Sequence, residues 1–492
     1  MGRDMRRRRL LNWLGGLGLA AVLLGLGVGG FVWWKFFERG PEPVWADDRA
    51  RFQHGSIGSE LLAGIPYPIF WVLPRVFPDL IEKHATAGYG PDKAGHGGYG
   101  AFGLAWEPGG VLPVGLALER RGFDRVTMNC ALCHTTRYRL AADETARFAV
   151  GGPSHTLDLQ ALLRFLFEAS HDRRFTAARM MPEIALQFRL DWIDWALYAA
   201  VLIPKTRTAL RFAEREMGWM AAKPAWGPGR DDAFNLPKFL LTRADWDDSV
   251  GNTDFPALWR LGERAGGLFH AAGEADSLEA VVATSAFGIA SPPGRDFRAR
   301  NRWLAAYTAS LEPPAFPLPI DAALAGAGAG LFGEHCATCH AVGGARTGTA
   351  IPIDEVGTDG ERLLSWTDHD ARRMNRITGV LRVGAEMNGA QGGYVAKPLA
   401  GLWLLGPYLH NGSVPTLRDL LAPPAERSVV FFRGHDVIDG DDIGFVSSGP
   451  EAERFGFRFD TREKGNGNGG HTYGTHLTEP EKDALIAYLK TL

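Results

Sequence analysis

Cysteine is scarce in this chain: four residues among 492, far too few for a disulfide-dense scaffold of this size. Neither sign of charge dominates, with 53 Lys and Arg against 56 Asp and Glu, so a polyelectrolyte nucleic-acid binder is excluded. Long apolar runs are absent except for one near the N-terminus, which excludes a multi-spanning membrane protein. Regular strand alternation is also sparse. A hydrophobic share of 46% against 22% charged residues is ordinary for a globular chain and argues against disorder. The length suggests about two to four domains.

The one apolar run is informative. Arg3, Arg6, Arg7, Arg8 and Arg9 precede it, and Leu10 to Trp34 carries no charge before Lys35. A helix of that length exceeds the ~30 Å hydrocarbon core, whereas a signal-peptide apolar region is usually ~7–15 residues. The expectation is therefore a retained single-pass anchor rather than a long cleaved signal or a surface-lying amphipathic helix. The arginines are expected on the cytoplasmic side, and Trp33 and Trp34 at the outer interface. This places the rest of the chain in the periplasm of a bacterial inner membrane.

The four cysteines fall in two matching pentapeptides, Cys130-Ala-Leu-Cys133-His134 and Cys336-Ala-Thr-Cys339-His340. This is the attachment pattern of a c-type haem: the thiols form thioethers with the porphyrin and the adjacent histidine ligates iron. Two covalently attached haems are expected, with His134 and His340 as proximal ligands. Zinc would need further ligands or all four cysteines together, and a redox dithiol has no need of the fifth-position histidine. An export signal agrees with haem attachment outside the cytoplasm.

The stripe Leu159, Leu162, Leu163, Leu166 and Phe167 predicts a helix over 157–170, and a second is expected over 183–202. The proline-rich run 311–320 cannot be helical throughout, and a boundary is drawn there. Three segments follow: a basic tip and anchor (1–40), an N-terminal haem domain with insertions (41–320) and a C-terminal cytochrome c domain (321–492). A small-residue helix is expected over 321–335, and a closing helix over 478–492 begun by a Thr478–Glu481 capping box. Gly328 and Phe332 lie eight and four residues before Cys336, where glycine would permit close helix approach. Gly122 and Val126 stand at the same offsets before Cys130. The fold class is mainly α, with two cytochrome c-like haem domains, long loops and little β, behind a transmembrane helix.

The segment Pro407-Tyr-Leu-His410-Asn-Gly-Ser-Val-Pro-Thr-Leu417 resembles the Pro-Tyr-x-His-(Asp/Asn)-Gly-Ser segment of the bacterial di-haem cytochrome c peroxidase superfamily. Gly151-Gly-Pro-Ser-His-Thr-Leu-Asp158, Gly227-Pro-Gly-Arg-Asp-Asp-Ala-Phe-Asn235, Phe255-Pro-Ala-Leu-Trp259 and Gly470-His-Thr-Tyr-Gly-Thr475 resemble rubber-oxygenase-like proteins within it. The stretches 217–226 and 429–462 have no counterpart. The resemblance implies His471 as distal ligand of the second haem, with His410, Met387, Met374 and His476 as alternatives. It implies His410 as a hydrogen-bonding residue near that haem and Trp259 as an electron relay between haems; the plain readings are a loop histidine held by neighbouring backbone for His410 and core packing for Trp259. His84 and His96 are candidates for the first haem's distal side; if neither binds, that iron is open. Arg230 and Asp231 are read either as contacts of a haem propionate or as a surface pair, and His155 as reaching the edge of the first haem.

The expected function is a peroxidase-like oxidoreductase: an open haem activating peroxide or dioxygen, and a six-coordinate haem exchanging electrons with it. The alternative is a membrane-tethered di-haem electron carrier with no substrate chemistry. Expected partners are the membrane and a redox protein or small oxidant, with no nucleic acid. Relatives implied by the resemblance reduce peroxide, cleave polyisoprene or oxidise tryptophan side chains, so the substrate stays open.

Overall fold

The computed structural model describes residues 2–41, 43–85, 95–264 and 266–492; the side chains of residues 2–12, which include the five arginines, and of residues 95–97, which include His96, lie outside the description. About 47% of the chain is helix and 11% strand, and among the described residues every sheet has only two or three strands. The mainly helical expectation therefore holds, with strands used locally.

Helix α1 covers Gly2–Phe37. Its stretch Gly16–Phe37 has a mean hydropathy of 1.9 and an apolar window with nothing buried inside the protein. At ~1.5 Å per residue this stretch is long and apolar enough to cross a bilayer. Its C-terminal end packs on a hairpin of β1 (Leu116–Arg121) and β2 (Phe123–Met128), paired from Leu116↔Met128 to Arg121↔Phe123.

That hairpin corrects the helical reading of Gly122 and Val126. Gly122 is the hairpin turn at φ +72°, and a Cβ there would lie 2.0 Å from the Lys35 carbonyl oxygen. Val126 is a buried strand residue. Turn geometry and strand alternation, not helical packing, explain both positions. The chain then enters the first cysteine motif through a short turn, Cys130–Leu132, capped by the Asn129 side chain, which accepts from Ala131 N at 2.9 Å. Strands β3 (Thr135–Tyr138) and β4 (Arg147–Val150) follow as a second hairpin.

Helix α2 (Leu159–His171) forms where its apolar stripe predicts, begun by the Asp158 carboxylate accepting from Ala161 N. The helix expected over 183–202 is instead divided. Helix α3 (Ala177–Gln187) ends at Phe188, which is extended, and α4 (Trp192–Leu197) restarts where the Asp191 carboxylate accepts from Asp194 N. An N-cap of this type satisfies one of the unpaired first-turn donors and makes the restart local. A π-turn then leads into α5 (Ile203–Met217), and a 3₁₀ turn over Gly218–Ala222 falls in the stretch without a family counterpart.

The proline-rich run over 311–320 contains no helix or strand. Beyond it, α6 (Ala322–His335) starts at Asp321, whose carboxylate accepts from Ala323 N and Leu324 N. The second motif follows in the short helix Ala337–His340, and α7 (Glu479–Leu489) closes the chain with the reciprocal Thr478–Glu481 capping box. Helices α6 and α7 meet at Gly328, where a Cβ would fall 1.9 Å from the Ala484 carbonyl oxygen. Only glycine allows the two backbones to approach this closely.

Candidate haem sites

Each Cys-x-x-Cys-His segment makes a single helical turn. His134 N donates to Cys130 O at 3.1 Å, and His340 N to Cys336 O at 3.0 Å. Positions i, i+3 and i+4 share one face of such a turn, which brings both thiols and the imidazole to the same side. All four cysteines are free, and burial pushes the Cys130 and Cys336 thiols up to about 11. Among the described residues no group of three or more His, Cys, Asp or Glu is placed to hold a metal ion. A four-thiolate zinc site is therefore not assembled.

The two histidines are oriented alike. His134 Nδ1 donates to the Pro256 carbonyl at 2.8 Å, and His340 Nδ1 donates to the Lys397 carbonyl at 2.7 Å. Such a bond fixes the tautomer, leaves Nε2 as the basic nitrogen and holds the ring plane. Burial keeps both imidazoles neutral, lowering His134 to about 4 and His340 below its ordinary value. Sequence reasoning identified the rings but not these carbonyls, because a backbone acceptor leaves no mark on residue type.

The two motifs differ on the far side. Opposite His340 stands His471, with ring centroids 6.2 Å apart and planes 46° to each other. Two imidazoles sharing one metal, each nitrogen ~2 Å from it and each ring centre ~1 Å further, would have centroids about 6 Å apart. The spacing fits a six-coordinate haem iron. His471 is held in the left-handed region at φ +45°, with its N donating to Val356 O at 2.7 Å. Arg427 secures the loop, donating to the carbonyls of Asn468, Gly470 and His471 at 2.7, 2.8 and 3.1 Å. Burial, then the neighbouring His340, lowers His471 to about 4.

The alternatives lie elsewhere. Met374 and Met387 pack with Trp366 and Phe234 in a separate apolar cluster, and His476 faces His335 at 5.0 Å. His410 stacks on Tyr394 at 3.8 Å, half-buried, with Nε2 buried and unpartnered and its ring driven well below the ordinary pKa by burial. Among the described side chains, no second imidazole stands opposite His134. His84 is engaged by Glu168 at 2.6 Å, and the His96 side chain lies outside the described residues.

Trp259 lies between the two motifs. Its indole Nε1 donates to Val150 O at 2.8 Å, and its ring is packed against Gly151, Gly152 and Gly401. On one side, Gly151 N donates to His134 O, Leu258 N donates to Gly151 O, and Pro256 three residues earlier holds His134. On the other, a Cβ on Gly401 would meet the indole at 2.6 Å; Gly401 is four residues from Lys397, whose carbonyl holds His340. The indole thus joins the segments that orient the two histidines.

Cationic side chains, Arg362, Lys397 and Arg230, gather within electrostatic reach of His410, which suits an anionic group such as a haem propionate. Arg230 is fully buried, donating to the carbonyls of Trp226, Asn411 and Ala225 and to Asn466 Oδ1. The reading of Arg230 and Asp231 as a surface pair is thereby corrected: the guanidinium bonds inward to carbonyls. Burial, then Asp232, pushes the Asp231 carboxyl up to about 7. Arg362 pairs with Glu274 at 2.6 Å, both almost wholly buried, and Lys397 is pushed down to about 8 by burial. His155 stacks on Phe445 at 3.6 Å with both ring nitrogens buried and unpartnered. Arg433, from the stretch without a counterpart, bonds Pro228 O, Gly412 O and Asp254. Sequence reasoning missed Arg362, Glu274 and Arg433, which lie outside every motif, and did not single out Lys397.

Residues 393–432, which contain Tyr394, Lys397 and His410, match the family described as RoxA-like, cytochrome c-like. This segment is cytochrome c-like. It supports a c-type haem and a rubber-oxygenase-like relation. Two proteins of Sinorhizobium fredii are also similar, both described as uncharacterized: y4iJ, 39% identical over 26% of this chain and 23% of its own length, and y4iM, 30% identical over 39% of this chain and 49% of its own. The matches thus span about a quarter and about half of those relatives.

Proposed function

We propose that the chain is a membrane-anchored, periplasmic di-haem oxidoreductase. Cys336, Cys339, His340 and His471 hold a six-coordinate electron-transfer haem. Cys130, Cys133 and His134 hold a second haem whose distal side is open to peroxide or dioxygen. A c-type haem supplies one-electron exchange and, where an axial position is free, binding of such an oxidant.

The chain's own groups orient and insulate. The carbonyls of Pro256 and Lys397 fix the proximal rings and raise their basicity as ligands. The buried guanidiniums of Arg230 and Arg362 offer positive charge to propionates, and Trp259 offers a π-system along the route between the ligand-bearing segments. The anchor confines this unit to the membrane surface.

The observation that carries the reading is the asymmetry between the motifs, an imidazole facing His340 and none of the described ones facing His134. Electron paramagnetic resonance of the ferric holoprotein tests it. One low-spin bis-histidine signal and one high-spin signal that peroxide alters are expected. Two low-spin signals indifferent to peroxide would instead establish a carrier. His471→Ala is expected to turn the low-spin signal high-spin while the covalent haem content, measured by pyridine haemochrome, stays at two per chain.

A further inference from the structure

The end of α1 is fastened to the globular part over six residues. Lys35, buried despite its charge, forms an ion pair with Asp194 of α4. Phe36 packs edge-on against Phe123 at 6.1 Å, and Phe123 packs edge-on against Tyr198, just after α4, at 6.3 Å. Arg125 donates to Phe36 O, Gly122 N donates to Glu38 O at 2.8 Å, and Gly40 N donates to Arg120 O at 3.0 Å. No loose tether separates the anchor from the domain.

This fastening sets the height of α4. If α1 crosses the bilayer, Lys35 and the adjacent Trp33 and Trp34 lie in the headgroup layer, ~5–7 Å thick beyond the hydrocarbon. Asp194 must then lie there too. Yet α4 presents apolar groups outward on either side of that aspartate: Trp192 is 80% exposed and Trp195 53%. Ala196 and Ala200 continue the exposed stripe at helical spacing. Leu186, at the end of α3, is 73% exposed. Trp195 also borders an open groove of about 340 Å³ lined by Ala177, Ala178, Met181, Pro182, Ala185 and Ala199. Exposed Arg189 lies between the two helices, where it can meet lipid phosphate.

We infer that the α3–α4 elbow is a second membrane contact, with Leu186, Trp192 and Trp195 seated in the interfacial layer of the leaflet from which α1 emerges. Tryptophan suits that layer because its ring is apolar and its N–H is wet. Two contacts, one spanning and one lying on the surface, fix the tilt of the haem-bearing part instead of leaving it to swivel on α1. The inference rests on the proposed membrane anchoring and is independent of the reaction.

Power-saturation electron paramagnetic resonance on the full-length holoprotein in phosphatidylcholine–phosphatidylglycerol nanodiscs tests it. The native cysteines are consumed as thioethers, so a nitroxide can be placed singly at Leu186→Cys, with Trp192→Cys as a second position. Leu24→Cys serves as the lipid reference and Val380→Cys, 83% exposed, as the water reference. Labels at 186 and 192 are expected to be shielded from a water-soluble nickel chelate several-fold relative to 380, and to be less oxygen-exposed than 24. Chelate access equal to that at 380, with 24 still in lipid, overturns the inference and leaves the anchor intact. Chelate access at 24 as well removes the anchor reading and this inference with it.

Discussion

The Arg362–Glu274 pair illustrates how much of this site depends on single groups that no motif announces. Both side chains are almost wholly buried and 2.6 Å apart, with the Arg362 guanidinium stacked 4.1 Å from the Phe234 ring centre. Arg362→Ala strands a carboxylate in the interior and is expected to cost about 3–5 kcal/mol, read by denaturant unfolding of the holoprotein. Trp259 is a milder case. Trp259→Phe removes the bond to Val150 O and is expected to cost about 1 kcal/mol. As a relay it makes a second demand: transient reduction should show slower electron equilibration between the haems, with unchanged resting spectra. Equal rates would reduce Trp259 to packing. The role proposed for His134 and His340 was legible from the sequence because the Cys-x-x-Cys-His spacing marks it locally. Pro256 and Lys397 were not, since they act through carbonyls.

At the scale of elements, the closing contact between α6 and α7 was legible and the elbow between α3 and α4 was not. A small residue eight positions before Cys336 and a capping box at Thr478 are local signals, and both helices formed around them. Gly328→Val places side-chain atoms on the Ala484 carbonyl and is expected to cost at least about 1–3 kcal/mol, measured by thermal melting followed in the Soret band. Gly326→Ala is the contrasting control: nothing lies within 4 Å of a Cβ there, so it is expected to be neutral or to stabilise by about 0.5–1 kcal/mol. Between 183 and 202 only single polar residues, Gln187, Arg189, Asp191 and Asp194, stand among the apolar ones, which reads as one helix. The Asp191 N-cap marks the restart locally, but the place of the elbow is set by the pairing of Asp194 with Lys35 at the end of α1, residues over 150 positions apart.

On the scale of the whole molecule, the parts either side of the 311–320 run are bound by buried charge. Asp436 is held by Arg137 and Arg139 of the β3 region, at 3.1 and 2.6 Å. Burial alone would raise its carboxyl, but the two arginines outweigh this and hold it below the ordinary value. A carboxyl depressed in the folded state contributes stability that is present above its unfolded pKa, ~3.9, and is lost as pH falls through its folded value. Asp436→Asn is therefore expected to lower the melting temperature at pH 7 and to flatten its dependence on pH below about 4 relative to the parent chain. An unaltered acid limb would show that Asp436 does not govern it.

By itself, the sequence determined where the two haem-attachment motifs lie, where a run long and apolar enough to cross a membrane lies and which helices open and close the C-terminal part, because each depends on residues within a few positions of one another. Only the tertiary structure decided which of five candidate side chains faces His340, how the His134 and His340 rings are held and on which surface the end of α1 is fastened. Those outcomes join residues separated by tens to hundreds of positions. Their meeting is set by chain geometry and burial, for which a one-dimensional pattern carries no local mark.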